Sequence, residues 1–245
     1  MIVQEHGHRE ALKLTEIFDA AEREAANEPE RLISYRNDIQ VYHAYTGAIT
    51  IVMSREMRKS VEIASTIALH VALKFPERNV LLINTYAGAD LLTSGFVNAM
   101  HLLNLKVPWT FQKYLAKSKD EDFDDSVDLP SPDNLRVLDF PTSTLTPETL
   151  EAEILRYHPS IVILNSLEFA AYTDRRKKEL AESLLDLRQR FGLTLFVFSH
   201  ELRPIFPYSG GRGALGLLSA FSGSIWHIVN EWEKKIWVNR FKYED

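Results

Sequence analysis

The sequence predicts an α/β protein built around a largely parallel sheet. Two observations carry this reading. Apolar runs of strand length recur along the chain without alternation: Asn79–Thr85 (NVLLINT), Ser160–Leu164 (SIVIL) and Leu193–Ser199 (LTLFVFS). A strand buried on both faces reads as such a continuous run. Between these runs lie amphipathic segments of helix length, and strands separated by helices favour parallel pairing. At 245 residues, 45% of them hydrophobic, the chain is long enough to bury a core without disulfides or metals.

Taken in order, residues 9–26 place Leu12, Leu14, Ile17, Phe18 and Ala21 at helical spacing, ending near Asn27-Glu28-Pro29. Residues 1–39 therefore read as an N-terminal helical extension, and 40–245 as the core domain. A first core strand is expected at 48–53, followed by a helix over Val61–Lys74 and the strand Asn79–Thr85. A helix over Asp90–Leu103 and a short strand over Leu135–Phe140 come next. Thr146-Pro147-Glu148 supplies a cap and a proline at the first helical position, predicting a helix to Tyr157. Ser160–Leu164, a charged helix over Asp174–Phe191, and Leu193–Ser199 follow. The runs 223–229 and 235–240 read as a C-terminal β-hairpin at one sheet edge. The acidic stretch 117–134 (KSKDEDFDDSVDLPSPDN) reads as a solvated loop; it lacks the spacing and glycine of an EF-hand.

Composition narrows the function classes. The chain has no cysteine, which excludes a disulfide framework, a thiolate metal site and a catalytic thiol. The formal charge is −6, so any nucleic-acid surface must be local. No apolar run reaches membrane-helix length and the N-terminus has no signal-like core; the expectation is a cytoplasmic protein with no membrane partner. No H-E-x-x-H, G-x-G-x-x-G or Ser-His-Asp signature is present, and no metal site is expected. His6 and His8 are read as terminal solvated residues. Trp226, Trp232 and Trp237 are read as core or interface aromatics.

In open parallel sheets ligands bind beyond the carboxyl ends of the strands. After the first core strand the chain reads MSREMRKS over 53–60. The phosphate-binding pattern G-x-x-x-x-G-K-[ST] would fall here. Lys59 and Ser60 match its end, while Met53 and Arg58 stand at both glycine positions. Tyr86 follows the second core strand, Asn165 ends SIVILN, and His200 follows LTLFVFS. Arg203 to Gly216 (RPIFPYSGGRGALG) forms a glycine- and aromatic-rich loop after His200.

With these residues the chain resembles the RecA-like ATPases, the group of RecA, RadA, the DnaB-type helicases and KaiC-like proteins, over roughly residues 40–240. The resemblance implies a three-layer fold with a mostly parallel central sheet. It also implies that Lys59 and Ser60 are remnants of the phosphate and magnesium site. Tyr86 stands at the catalytic glutamate, Asn165 at the metal-assisting aspartate and His200 at the γ-phosphate sensor. Glu168 either substitutes for the missing carboxylate or is an exposed residue. His200 is either a sensor or simply bonded at its strand end. The loop's Arg203, Phe206, Tyr208, Gly210, Gly211 and Arg212 match a DNA-contacting loop, with a surface loop as the plainer alternative.

Loss of both glycines, the base and the aspartate implies a protein without ATP hydrolysis. Each such element contributes about 10²–10⁴ in rate. The expected role is a regulator, scaffold or DNA-binding accessory in recombination, repair or replication. Its partners would be a homo-oligomer, an active RecA-like ATPase or single-stranded DNA. The alternative is a divergent active ATPase using ATP and magnesium at Lys59 and Ser60, its site completed by Glu168 or Glu201 and a partner.

Overall fold

The computed structural model describes residues 29–36, 41–54, 56–103, 105, 132–140, 142–171, 173–200 and 213–228. The helix expected over 9–26, most of the acidic stretch, the loop residues Arg203 to Arg212 and the strand at 235–240 lie outside them. The described residues from Arg31 onward belong to one compact unit.

Two antiparallel strands come first, β1 (Arg31–Arg36) and β2 (Val41–Tyr45), with a register shift between Arg31 and Ile33. They straddle residue 39. The sequence shows nothing regular there, because RLISYR and VYHAY are short and mix polar with apolar residues. Gly47, at φ +69°, turns the chain from β2 into β3 (Ile49–Ser54). Its N–H donates to Thr194 Oγ1 at 2.8 Å and its carbonyl accepts from Arg188 Nε at 2.8 Å.

Next come α1 (Met57–Lys74), β4 (Val80–Asn84), α2 (Ala89–Leu102) and β5 (Leu135–Asp139). They are followed by α3 (Pro147–Tyr157), β6 (Ile161–Asn165) and the single turn α4 (Leu167–Ala170). The last elements are α5 (Asp174–Phe191), β7 (Thr194–Ser199), α6 (Ala214–Ala220) and β8 (Ser224–Ile228). Thr146 caps α3 as its sequence predicts, its hydroxyl accepting from the Thr149 N–H, with Pro147 at the first helical position. Thr173 caps α5, which closes on Gly192 in the left-handed conformation.

β3 to β8 form one six-stranded sheet in the order β5-β4-β6-β7-β3-β8. All five pairings are parallel. β8 takes an edge, as expected of the C-terminal run, but it pairs parallel with β3; the second half of the expected hairpin lies outside the described residues.

Strand residues alternate between two cores, as a pleated sheet requires. Ile51, Met53, Leu164, Leu195 and Val197 point to one face, covered by α3, α5 and α6. Val52, Leu82, Ile163, Phe196, Phe198 and Trp226 point to the other, covered by α1. α2 lies against α1, where a Cβ on Gly95 would come within 2.7 Å of Ser65 Oγ and 2.9 Å of Val61 Cγ1. Only a glycine permits that approach without a shift. The molecule is thus a helix–sheet–helix sandwich, and the carboxyl ends of all six strands lie along one rim.

Candidate functional site

The rim begins with the β3–α1 connection. Met53 and Ser54 are strand residues, paired with Ser199 and with His227 and Ile228. Met57 already begins α1, and the Ser60 N–H donates to the Glu56 carbonyl at 2.9 Å, an ordinary helical bond. Only residues 55 and 56 connect strand to helix. The phosphate-binding pattern needs a longer wrap, with successive backbone N–H groups aimed at one anion. Here the N–H groups of β3 serve the sheet, and from Ser60 onward those of α1 serve the helix. Glycines are not required because the conformations that need them are absent: Met53 is a fully buried core residue and Arg58 sits on an exposed helical turn.

Lys59 is engaged within its own helix. Its Nζ lies 3.5 Å from Glu62 Oε2, and Arg58 Nε lies 3.3 Å from Glu62 Oε1. Asn98 Nδ2 also donates to Glu62 Oε1, at 3.2 Å. Lys59 is therefore one of three groups gathered on a single carboxylate, where α1 meets α2.

Ser60, Asn165, Tyr86 and His200 do come together. Ser60 is fully buried, and its hydroxyl donates to Asn165 Oδ1 at 2.9 Å. The Tyr86 hydroxyl donates to the Met57 carbonyl at 2.8 Å, over the first turn of α1. Burial pushes this phenol up to about 12; bonds with the side chains of Ser60 and Asn165 oppose the rise, and the Glu168 charge adds to it. A hydroxyl held this strongly protonated is no base at neutral pH.

The Tyr86 ring packs against Phe169 at 4.9 Å between centroids and edge-on against His200 at 5.4 Å. Phe169 and His200 complete the trio at 5.6 Å. His200 Nδ1 lies 2.7 Å from the Ser54 carbonyl oxygen. A carbonyl only accepts, so Nδ1 carries a proton, and in the neutral ring Nε2 is bare. Nε2 is buried without a hydrogen-bond partner among the described residues.

Glu168 is half-buried and holds the end of β7, not exposed as one sequence reading had it. One carboxylate oxygen accepts from the Ser199 hydroxyl, the other from the His200 N–H at 3.1 Å. β4 and β6 are stitched by Thr85, whose hydroxyl donates to the Ser166 carbonyl at 2.9 Å and accepts from the Ser166 N–H at 2.9 Å. Asn84 Nδ2 donates to Asp139 Oδ1 at 2.6 Å, tying in β5.

Sequence reasoning missed Phe169, the Ser54 carbonyl and the bracing role of Glu168. A carboxylate and an aromatic side by side just past a strand end were the available signal. Among the described residues the rim side chains largely satisfy one another, the Ser166 hydroxyl and His200 Nε2 being buried exceptions. Ser60 faces an amide, and Ser199 is buried against a carboxylate. No group of three His, Cys, Asp or Glu able to hold a metal occurs among the described residues. No helix among them is long and apolar enough to cross a membrane.

Fold and site together define an α/β protein with an all-parallel six-stranded central sheet. No protein-family model matches the chain, and comparison with curated proteins finds no match.

Proposed function

We propose that the chain is a RecA-like protein without ATP turnover, acting as a regulator, scaffold or DNA-binding accessory in recombination, repair or replication. It would work as a homo-oligomer or beside an active member of that group. The observation that carries the reading is the two-residue link between β3 and α1, which leaves no wrap for a phosphate. The pairing of Lys59 with Glu62 and the seating of Tyr86 beside Ser60 and Asn165 support it.

The test is purified protein with ATP and magnesium. The expected result is no phosphate release above blank and no change in melting temperature at millimolar ATP. A ligand at a hundredfold its Kd would add about 2.7 kcal/mol and shift the melt visibly. A shift or turnover abolished by Lys59→Ala overturns the reading. It would favour the divergent ATPase, for which the direct Ser60–Asn165 bond at the strand ends is the supporting observation. Among the roles, salt-dependent binding of single-stranded DNA that drops in Arg203→Ala and Arg212→Ala supports the DNA accessory. No binding at low salt leaves the scaffold or regulator.

A further inference from the structure

Away from the rim, a groove of about 460 Å³ separates β1 from the far half of α1. That size falls among ordinary ligand clefts. One wall is Arg31, Leu32, Ile33 and Ser34 of β1; the other is Thr66, His70 and Lys74 of α1, with Leu103 at one end. Successive side chains of a strand point to opposite faces. The register shift between Arg31 and Ile33 interrupts that alternation, and four successive residues of β1 line one groove; the strand's second edge is the one not paired with β2. Among the described residues β1 pairs only with β2, so that edge carries no ladder.

The helical wall is equally regular. Thr66, His70 and Lys74 are spaced four apart and so lie in one row on α1. The row is about 12 Å long, against about 10 Å for the four strand residues. An extended segment of about four residues spans both.

The groove has a definite charge. Arg31 and Lys74 stand on opposite walls, and neither has a carboxylate in ion-pair range among the described residues. This is unusual in a chain of net charge −6 whose other described helical cations mostly pair with near neighbours. Lys74 Nζ instead donates to the Leu32 carbonyl at 3.4 Å and lies 4.8 Å from the centroid of the Phe75 ring, contacts that hold its head group across the groove without neutralising its charge. Burial and the Lys74 charge lower the pKa of His70, so at neutral pH it offers a hydrogen bond and no third charge. The floor is apolar: Leu32 is fully buried and Ile33 partly so.

We infer that this groove binds an extended, acidic segment of a partner protein, added as a strand to β1 with its carboxylates at Arg31 and Lys74. Main-chain bonds to β1 supply affinity, and alternate side chains meet the apolar floor and the cationic rim. The inference does not depend on the rim of the sheet or on any nucleotide.

The test uses the full chain and two fluorescent decapeptides, one alternating valine with glutamate and one alternating valine with lysine, followed by anisotropy at low salt. The acidic peptide should bind at least about tenfold more tightly than the basic one. Arg31→Glu with Lys74→Glu should abolish or invert that preference. Both residues are exposed, and the milder pair Arg31→Gln with Lys74→Gln should lower affinity in the same direction if the first pair melts early. An N-methylated acidic peptide should lose binding, and the β1 amides should gain protection from hydrogen exchange when the parent peptide is added. Failure of both peptides to bind, equal binding of the two, or binding unaffected by the charge reversals overturns the inference. Full competition by sodium acetate or inorganic phosphate at matched charge overturns it in favour of a small-anion site. Binding that appears only after residues 1–28 are displaced by proteolysis overturns it in favour of an occupant from this chain.

Discussion

Helix α1 belongs to two different environments. Its first turn enters a rim where polar groups answer one another: Ser60 to Asn165, Tyr86 to the Met57 carbonyl, Lys59 and Arg58 to Glu62. Its second half faces a groove where Arg31 and Lys74 have no described counter-ion and the edge of β1 has no partner strand. A buried polar group that is already paired gains little from a ligand, while an unpaired cation or an open edge gains much. The motif-like sequence therefore lies at the closed end of the helix, and the unused binding capacity lies at the other.

The comparison breaks most readily at Glu168, which braces both Ser199 and His200. Glu168→Ala removes an acceptor from a buried hydroxyl and a backbone N–H together, and should cost about 3 kcal/mol in urea unfolding. Glu168→Gln should recover part of that loss, because one amide oxygen still accepts. Binding in the β1–α1 groove should be unchanged in both. The Ser60–Asn165 bond comes next. Asn165→Ala leaves the fully buried Ser60 hydroxyl without its acceptor, at a cost of about 1–3 kcal/mol. In a double-mutant cycle with Ser60→Ala, the combined loss should fall short of the sum of the two.

The sheet was largely legible because its strands are buried on both faces. LLIN, IVILN and TLFVFS show it as unbroken apolar runs, and Thr146-Pro147 marks a helix start chemically. The start of α1 was not legible. Met57–Ser60 is a polar, basic turn without a Ser, Thr, Asp or Asn cap ahead of it, so it reads as loop until the Glu56–Ser60 bond is seen. Nor was the work of Glu168, which depends on α4 meeting the end of β7 across 31 residues of chain. The groove was hidden for a similar reason: strand β1 has too little pattern to declare itself, and only the fold brings it beside Thr66, His70 and Lys74.

Tyr86 gives a smaller effect with a distinct signature. Its pKa is raised from about 10 in the unfolded chain to about 12 in the fold. Between those values the folded state holds a proton that the unfolded state has lost. Its contribution to stability is therefore complete below pH ~10 and is lost as the pH climbs toward about 12. Tyr86→Phe should lose about 1 kcal/mol at neutral pH, from the bond to the Met57 carbonyl, and flatten the alkaline decline. Tyr86 should ionise late in an ultraviolet titration of the wild type, and that late step should be missing from the variant.

The smallest expected effect separates the two functional readings most cleanly. Lys59 is about half exposed, and its ion pair with Glu62 lies on the surface of α1, where Arg58 and Asn98 already serve the same carboxylate. Such a pair contributes within about 0.5 kcal/mol. Lys59→Ala should therefore leave the melting temperature, the response to ATP and the groove affinity where they were. In a divergent ATPase the same substitution would remove the lysine assigned to the phosphates and erase a nucleotide-dependent shift. Because stability is not expected to move, any change in the ATP response of Lys59→Ala reports on nucleotide binding alone. A measured change there would mean that the β3–α1 turn opens in solution to a shape unlike the two-residue link, and that the closed end of α1 is a binding site after all.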